Sequence, residues 1–293
     1  MTPLLYYLFL KPISLLPLRV SYLISDLLFV LNHYVIRYRK KLILNNIRNS
    51  FPEKSHEEHK RIARDFNRFF CDFIVESIRC FSISAKEAQK RCRIKNLEAI
   101  DELYKQKKSI VLAFGHYNNW EMVATALGGS LKHKTSAIYK PLSNKFFDKK
   151  FRETRGKSGL QLIPKQETKS FLEDKKDKTY LVGFGSDQCP KRNKTNLFWT
   201  KFLNQDTAVM FGTEKYAVDF DYAVVFLNIE RVKRGYYEVE LKIIEENPQQ
   251  AKYGSITKQH TKLLEDQIIQ NPQYWLWSHK RWKLQKQDHE ICH

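Results

Sequence analysis

A histidine and a glutamate stand five residues apart in the stretch SIVLAFGHYNNWEM, residues 109–122. A carboxylate that holds one nitrogen of an imidazole fixes the tautomer and leaves the other nitrogen free as a general base. On a continuous helix, residues five apart point about 140° away from each other. His116 and Glu121 therefore meet only if the chain turns between them. The flanking residues supply such a turn. SIVLAF is a continuous apolar run, as expected of a strand buried on both faces. Gly115 permits a sharp exit, and Asn118 or Asn119 can cap a helix beginning near Trp120. His116 then sits at the carboxyl end of a strand, where active residues of α/β sheets collect, and Glu121 folds back toward it from the first helical turn. A structural reading stands beside this one. Glu121 three positions after Asn118 resembles a capping box, and His116 can simply bond a backbone carbonyl.

No GxSxG elbow, HExxH pair or P-loop accompanies this unit. The five cysteines are odd in number and none is spaced CxxC, which argues against a disulfide framework or a zinc ribbon and for a reducing compartment. The chemistry that fits is direct attack by a substrate hydroxyl, with no protein nucleophile, metal or cofactor. Two further groups belong near the base. Residues 140–157 carry seven cations against Asp148 and Glu153. On a helix Lys145, Lys149, Arg152 and Arg155 share one broad face, suited to phosphates or a developing oxyanion. Arg suits bidentate phosphate contacts better than Lys, which favours Arg155 and then Arg152. Asp187 follows TYLVGFGS, another apolar run ending in a glycine-flanked turn. It belongs to the same sheet edge as His116 if the strands are parallel, where it pairs with the arginine or positions the acceptor; Gln188 shares that role. Cys189 has no histidine partner pattern and is assigned no nucleophilic work.

The elements that must position these groups are legible from periodicity. Short apolar runs at 109–114, 135–139, 160–163, 179–184 and 222–229 alternate with helix-like segments near 118–128, 144–157, 166–176 and 209–219. Strand–helix alternation predicts an α/β fold with a mixed, mostly parallel sheet flanked by helices. YYEVELKII at 236–244 alternates and is expected to pair with the strand before it through 233–235. A Phe-rich helix is expected over Glu57–Phe81, after a break at Pro52, and a last helix near 254–270. WLWSHKRWK at 275–283 suits either a membrane interface or packing on the core; His279 is given no chemistry. Asn193 opens a glycosylation sequon, read as chance without a secretory context.

The N-terminus differs. LLYYLFL at 4–10 and VSYLISDLLFVLNHYVI at 20–36 are apolar but interrupted by polar residues, then followed by RYRKK at 37–41. An apolar segment before a basic cluster fits an anchor whose cations face the cytoplasm and anionic headgroups, whether it spans the bilayer or lies in its interface. The expected organisation is an anchor over 1–45 and one α/β domain over 46–293. The formal net charge of +19 requires an acidic partner. No nucleic-acid-binding signature is visible, and the cations do not interleave with a stacking platform.

GHYNNWE resembles the HX4(D/E) motif of the lysophospholipid acyltransferase superfamily, in the GHxxNWE form of the late acyltransferases of lipid A biosynthesis. YKPLSNKFFDKKFRETRGKSG at 139–159, GSDQCP at 185–190, FGTEKYA at 211–217 and WLWSHKRWK resemble later blocks of that family in the same order. The resemblance covers nearly the whole chain. It implies a glycerol-3-phosphate acyltransferase-like α/β fold and an enzyme on the cytoplasmic face of a bacterial inner membrane. It also implies transfer of an acyl chain from a thioester, usually on acyl carrier protein, to a hydroxyl of an anionic glycolipid, the lipid A precursor. In that reading His116 is the base, Glu121 orients it, and Arg155, Arg152, Asp187 and Gln188 bind substrate. Another lipid or pigment acceptor, or a non-catalytic basic protein, is the alternative.

Overall fold

The computed structural model describes residues 2–175, 178–191, 197–287 and 290–292; the sequon at Asn193 lies outside them. The chain opens with two helical segments, α1 (Thr2–Leu15) and α2 (Leu18–Ile36), bent by 119°. The bend is at Leu16–Pro17, both in extended backbone, because the residue before a proline is driven out of the helical region. No single described helix is long and apolar enough to cross a membrane. The next helix, α3 (Lys40–Ser50), runs across the boundary expected near residue 45. Then α4 (His56–Cys80) starts at a full capping box. Ser55 Oγ accepts from the Glu58 amide, and the Glu58 carboxylate accepts from the Ser55 amide. Its buried phenylalanines pack with Ile43, Ile47, Trp275 and Trp277 in one cluster.

Seven strands form the main sheet in the order β1-β9-β8-β2-β5-β3-β4. Here β1 is Cys92–Ile94, β2 Ile110–Phe114, β3 Lys134–Tyr139, β4 Gln161–Pro164, β5 Tyr180–Gly185, β8 Ala223–Lys233 and β9 Tyr236–Glu245. Strands β4, β3, β5, β2 and β8 run parallel. β9 turns back antiparallel on β8, as its alternation predicts, and β1 joins β9. The sequence reading missed β1 and a separate hairpin of β6 (Leu197–Phe202) and β7 (Gln205–Met210). The remaining helices are α5 (Ala85–Arg91), α6 (Leu97–Lys105), α7 (Trp120–Leu127), α8 (Lys145–Arg155), α9 (Thr168–Asp174), α10 (Gly212–Phe220) and α11 (Ser255–Gln270). The central strands are buried on both faces, which is why Ile110–Ala113 and Ala223–Leu227 are uninterrupted apolar runs.

Residues 2–36 pack inside out. Ser14, Ser21, Ser25 and Asn32 are buried, while Leu23, Leu27, Val35 and Ile36 are 69%, 59%, 72% and 64% exposed. A helix on a water-soluble core shows the opposite pattern. The polar side is tied to α4: Ser25 Oγ donates to Asp72 at 2.7 Å, and Asn32 Nδ2 to Asn67 at 3.1 Å.

Candidate active site

Strands β2 and β5 are neighbours, with Phe114 opposite Gly185 in register. His116 and Asp187 each stand two residues past that pair, so parallel pairing delivers both to one sheet edge. A Cβ on Gly185 would lie 3.3 Å from His116 Cε1, so the glycine gives the second loop a close passage under the imidazole without crowding it.

The turn between His116 and α7 is built by the two asparagines, one task each. Asn118 adopts the left-handed conformation, φ 53°, which Asn tolerates better than most residues. Its Nδ2 donates to the Ile229 carbonyl. Asn119 is the N-cap of α7, its Oδ1 accepting from the Met122 amide at 2.9 Å. Glu121 is thus in the first turn but is no partner of a capping box.

The imidazole is held by Asp187, not by Glu121. His116 Nδ1 lies 2.6 Å from Asp187 Oδ1, and the His116 backbone N–H donates to Oδ2 at 2.8 Å. Trp275 Nε1 donates to the same Oδ2 at 3.0 Å. Burial favours the neutral form of Asp187, but the charge of His116 and these bonds outweigh it and hold the carboxyl at about 2. Burial likewise pushes His116 down; the charge and bond of Asp187, with Glu121 beyond, overcome it and leave the imidazole above its ordinary value. Asp187 thus partners the imidazole, and the arginine expected to pair with it bonds Glu121.

Glu121 instead takes a two-pronged bond from Arg155, Nε to Oε2 at 2.9 Å and Nη2 to Oε1 at 2.6 Å. Such fork-to-fork pairs are the strong, directional ones. The first turn of α7 points Glu121 at the last turn of α8, and tight packing between the two keeps it there. A Cβ on Gly128, just past α7, would fall 2.5 Å from the Ser158 carbonyl oxygen. The expected phosphate clamp therefore has two of its guanidinium nitrogens already engaged. Among the described residues Arg155 Nη1 alone of the three makes no hydrogen bond. Arg152 lies on the exposed side of α8 and does not line the cavity described below. Lys150 caps the aromatic rings of Tyr6 and Tyr7.

Nε2, the other imidazole nitrogen, meets Gln188 Nε2 at 3.1 Å. An amide can present either a donor or an acceptor there. His116, Gln188, Glu121 and Arg155 all line one cavity of about 860 Å³, whose remaining walls are mostly apolar, among them Phe114, Trp120, Val123, Ile138, Leu162 and Leu227. Trp120 stands edge-on to the imidazole at 5.0 Å. A large, mostly apolar cavity with a few convergent polar groups is the usual form of a small-molecule site.

Sequence reasoning missed two supporting residues, both in WLWSHKRWK. Trp275 and Trp277 are buried, so the segment packs on the core and is no interfacial belt. Besides Trp275, His279 Nε2 accepts from the Cys189 amide at 3.0 Å and pins the loop that follows Asp187. Only their place in an aromatic-rich run hinted at them. Behind Asp187 a cavity of about 10 Å³, room for a single water, is lined by buried Arg281 and His260.

Residues 1–284 match the family model described as bacterial lipid A biosynthesis acyltransferase. The chain is similar to the lipid A biosynthesis palmitoleoyltransferase of Escherichia coli (strain K12), 22% identical over 254 residues covering 85% of this chain and 80% of that protein. It is similar to the same extent to a lipid A biosynthesis acyltransferase of Shigella flexneri.

Proposed function

Because this chain belongs to the bacterial lipid A biosynthesis acyltransferase family and is an acyltransferase, we propose that His116 is its general base and Asp187 the residue that orients it. With Nδ1–H directed at Asp187, Nε2 carries the free lone pair and faces the cavity. An acceptor hydroxyl displaces the Gln188 amide from Nε2. Its oxygen attacks the thioester carbonyl carbon as its proton passes to Nε2. Asp187 stays ionised and stabilises the imidazolium. The tetrahedral intermediate then expels the sulfur, which takes the proton from Nε2, leaving an ester and a thiol. Arg155, steadied by Glu121, offers its spare Nη1 to the developing oxyanion. The apolar walls of the cavity receive the acyl chain.

The acyl donor in this reading is a thioester on acyl carrier protein, whose acidity complements the net charge, and the acceptor is a lipid A precursor. The apolar outer face of α1 and α2 sits in the cytoplasmic leaflet of the inner membrane. On the opposite face Ser25 and Asn32 bind α4, so the pair lies in the interface instead of spanning it.

The observation that carries the proposal is the single imidazole nitrogen, backed by a buried carboxylate, that opens on an apolar cavity. The test is product mass after incubation in detergent with acyl carrier protein thioesters and candidate lipids. We expect acylated lipid A precursor from the native protein and turnover at least about a thousand-fold lower for His116→Ala. Products from phospholipid acceptors alone would overturn the acceptor; native-like turnover by His116→Ala would overturn the base.

A further inference from the structure

Glu76, on the face of α4 opposite the turn, is fully buried and has no part in the chemistry described so far. A buried carboxylate is expensive unless it is well hydrogen-bonded. Here three donors serve it. Oε2 accepts from Asn119 Nδ2 at 2.5 Å and from the Tyr237 hydroxyl at 2.6 Å, and Oε1 from the Tyr22 hydroxyl at 2.8 Å. An apolar residue would serve better if the site only had to join helices. Burial pushes the Glu76 carboxyl up, against the bonds from Tyr237, Asn119 and Tyr22 and the charge of Arg231, which favour the ionised form. What the carboxylate adds in that form is that it accepts and never donates, so that it selects which end of the Asn119 amide faces it. With Nδ2 directed at Glu76, Oδ1 is left to cap α7 at the Met122 amide. A reversed amide would lose both bonds. Asn119 lies inside the segment 116–121 that sets His116 at one end and Glu121 at the other. Tyr22 extends the same chain of bonds to α2, where Arg234 covers its ring at 4.1 Å and also bonds Asp26 and Asp72.

We propose that Glu76 is a positioning residue for acyl transfer: it locks the Asn119 amide in the capping orientation and, through Tyr22, couples the His116 turn to the docking of α2 on α4. The inference rests on the reading of His116 as the base. It predicts that the apolar N-terminal pair steadies the site as well as carrying the enzyme to lipid.

The test reverses the polarity of one bond. Asn119→Asp alone still caps α7 but sets two carboxylates in contact. In the Glu76→Gln, Asn119→Asp double variant the new amide donates to the new carboxylate, and the bond is restored in the opposite sense. Steady-state kinetics use the palmitoleoyl thioester of acyl carrier protein and a lipid A precursor, with melting temperatures measured on the same samples. We expect Asn119→Asp to lower kcat about a hundred-fold with KM changed less than about three-fold, the effect of displacing a reacting group by roughly 1 Å. The double variant should regain at least about ten-fold of that loss, Glu76→Gln alone should lower kcat about ten-fold because an amide can turn either end to Asn119, and Tyr22→Phe should lower kcat several-fold at unchanged KM. A double variant no better than Asn119→Asp, or losses carried wholly by KM or by the folded fraction, would overturn the inference. The two failures separate: native-like turnover by His116→Ala fails the base, whereas a dead His116→Ala beside an unrescued double variant fails Glu76 alone.

Discussion

Replacing Asp187 by Asn probes the site most sharply, because the structure dictates how the new amide must turn. In the native site Oδ1 faces His116 Nδ1, and Oδ2 accepts from two N–H groups, the His116 backbone and Trp275. Asn has one acceptor to offer. If its oxygen faces Nδ1, its NH2 opposes two buried donors, each costing about 1–3 kcal/mol when left unsatisfied. If the oxygen serves those two donors, the NH2 points at Nδ1. Two donors outweigh one, so the second orientation wins by roughly 1–3 kcal/mol. Nδ1 must then accept, the proton moves to Nε2, and the base loses the lone pair that faces the cavity. In serine-protease triads the same substitution forces the wrong tautomer and lowers kcat about ten-thousand-fold; a fall of about a thousand-fold or more is expected here. The assay is kcat from product mass under saturating donor and acceptor, with the melting temperature as a control on folding. Glu121→Gln is the contrast. It weakens the hold on Arg155 without touching the tautomer and should lower kcat only about ten- to a hundred-fold. An Asp187→Asn enzyme that keeps a tenth of native turnover, or one less impaired than Glu121→Gln, would refute the assignment of Asp187.

Two further outcomes follow from the charges and the outer surface. A base works unprotonated, and His116 is raised above 6.5 chiefly against its burial by Asp187. The kcat profile should therefore climb with pH to a plateau, its midpoint above 6.5, and the midpoint should drop below 6.5 in Asp187→Asn; a midpoint unmoved by that substitution would count against the pair. The same shifts fix a stability window. The raised His116 stabilises fully below 6.5 and is lost as pH climbs through its folded value, while the depressed Asp187 stabilises above 3.8 and is lost as pH falls toward 2. Chemical denaturation should show native protein losing more stability between pH 5 and pH 9 than Asp187→Asn does. On the outer surface, changing Leu23 and Leu27 together to Ser should reduce co-sedimentation with anionic phospholipid vesicles at least about ten-fold, since each exposed leucine offers about 1.5–3 kcal/mol of burial. Unchanged binding would place the membrane contact elsewhere.

Much of the local structure was legible from residue type and spacing. Continuous apolar runs marked the doubly buried strands, and Gly115 and the paired asparagines marked the turn. Read as parallel strands, which the structure bears out, TYLVGF and SIVLAF put Asp187 and His116 at one edge. These are properties of a short segment and its two neighbours, and the physics that sets them, backbone sterics and the burial period, acts within about a dozen residues. Which carboxylate serves the imidazole was not of that kind. Glu121 is five residues from His116 and Asp187 is seventy-one away, yet β5 inserts beside β2 while β3 lies beyond it. That strand order makes the distant residue the near one. The first turn of α7 sends Glu121 toward Arg155 instead, along a direction set by where α8 packs. The same holds for Trp275, His279 and Glu76, each of which reaches the site from far along the chain. Spacing along the chain decided what the residues could do; the order of strands and the packing of helices decided which of them do it together.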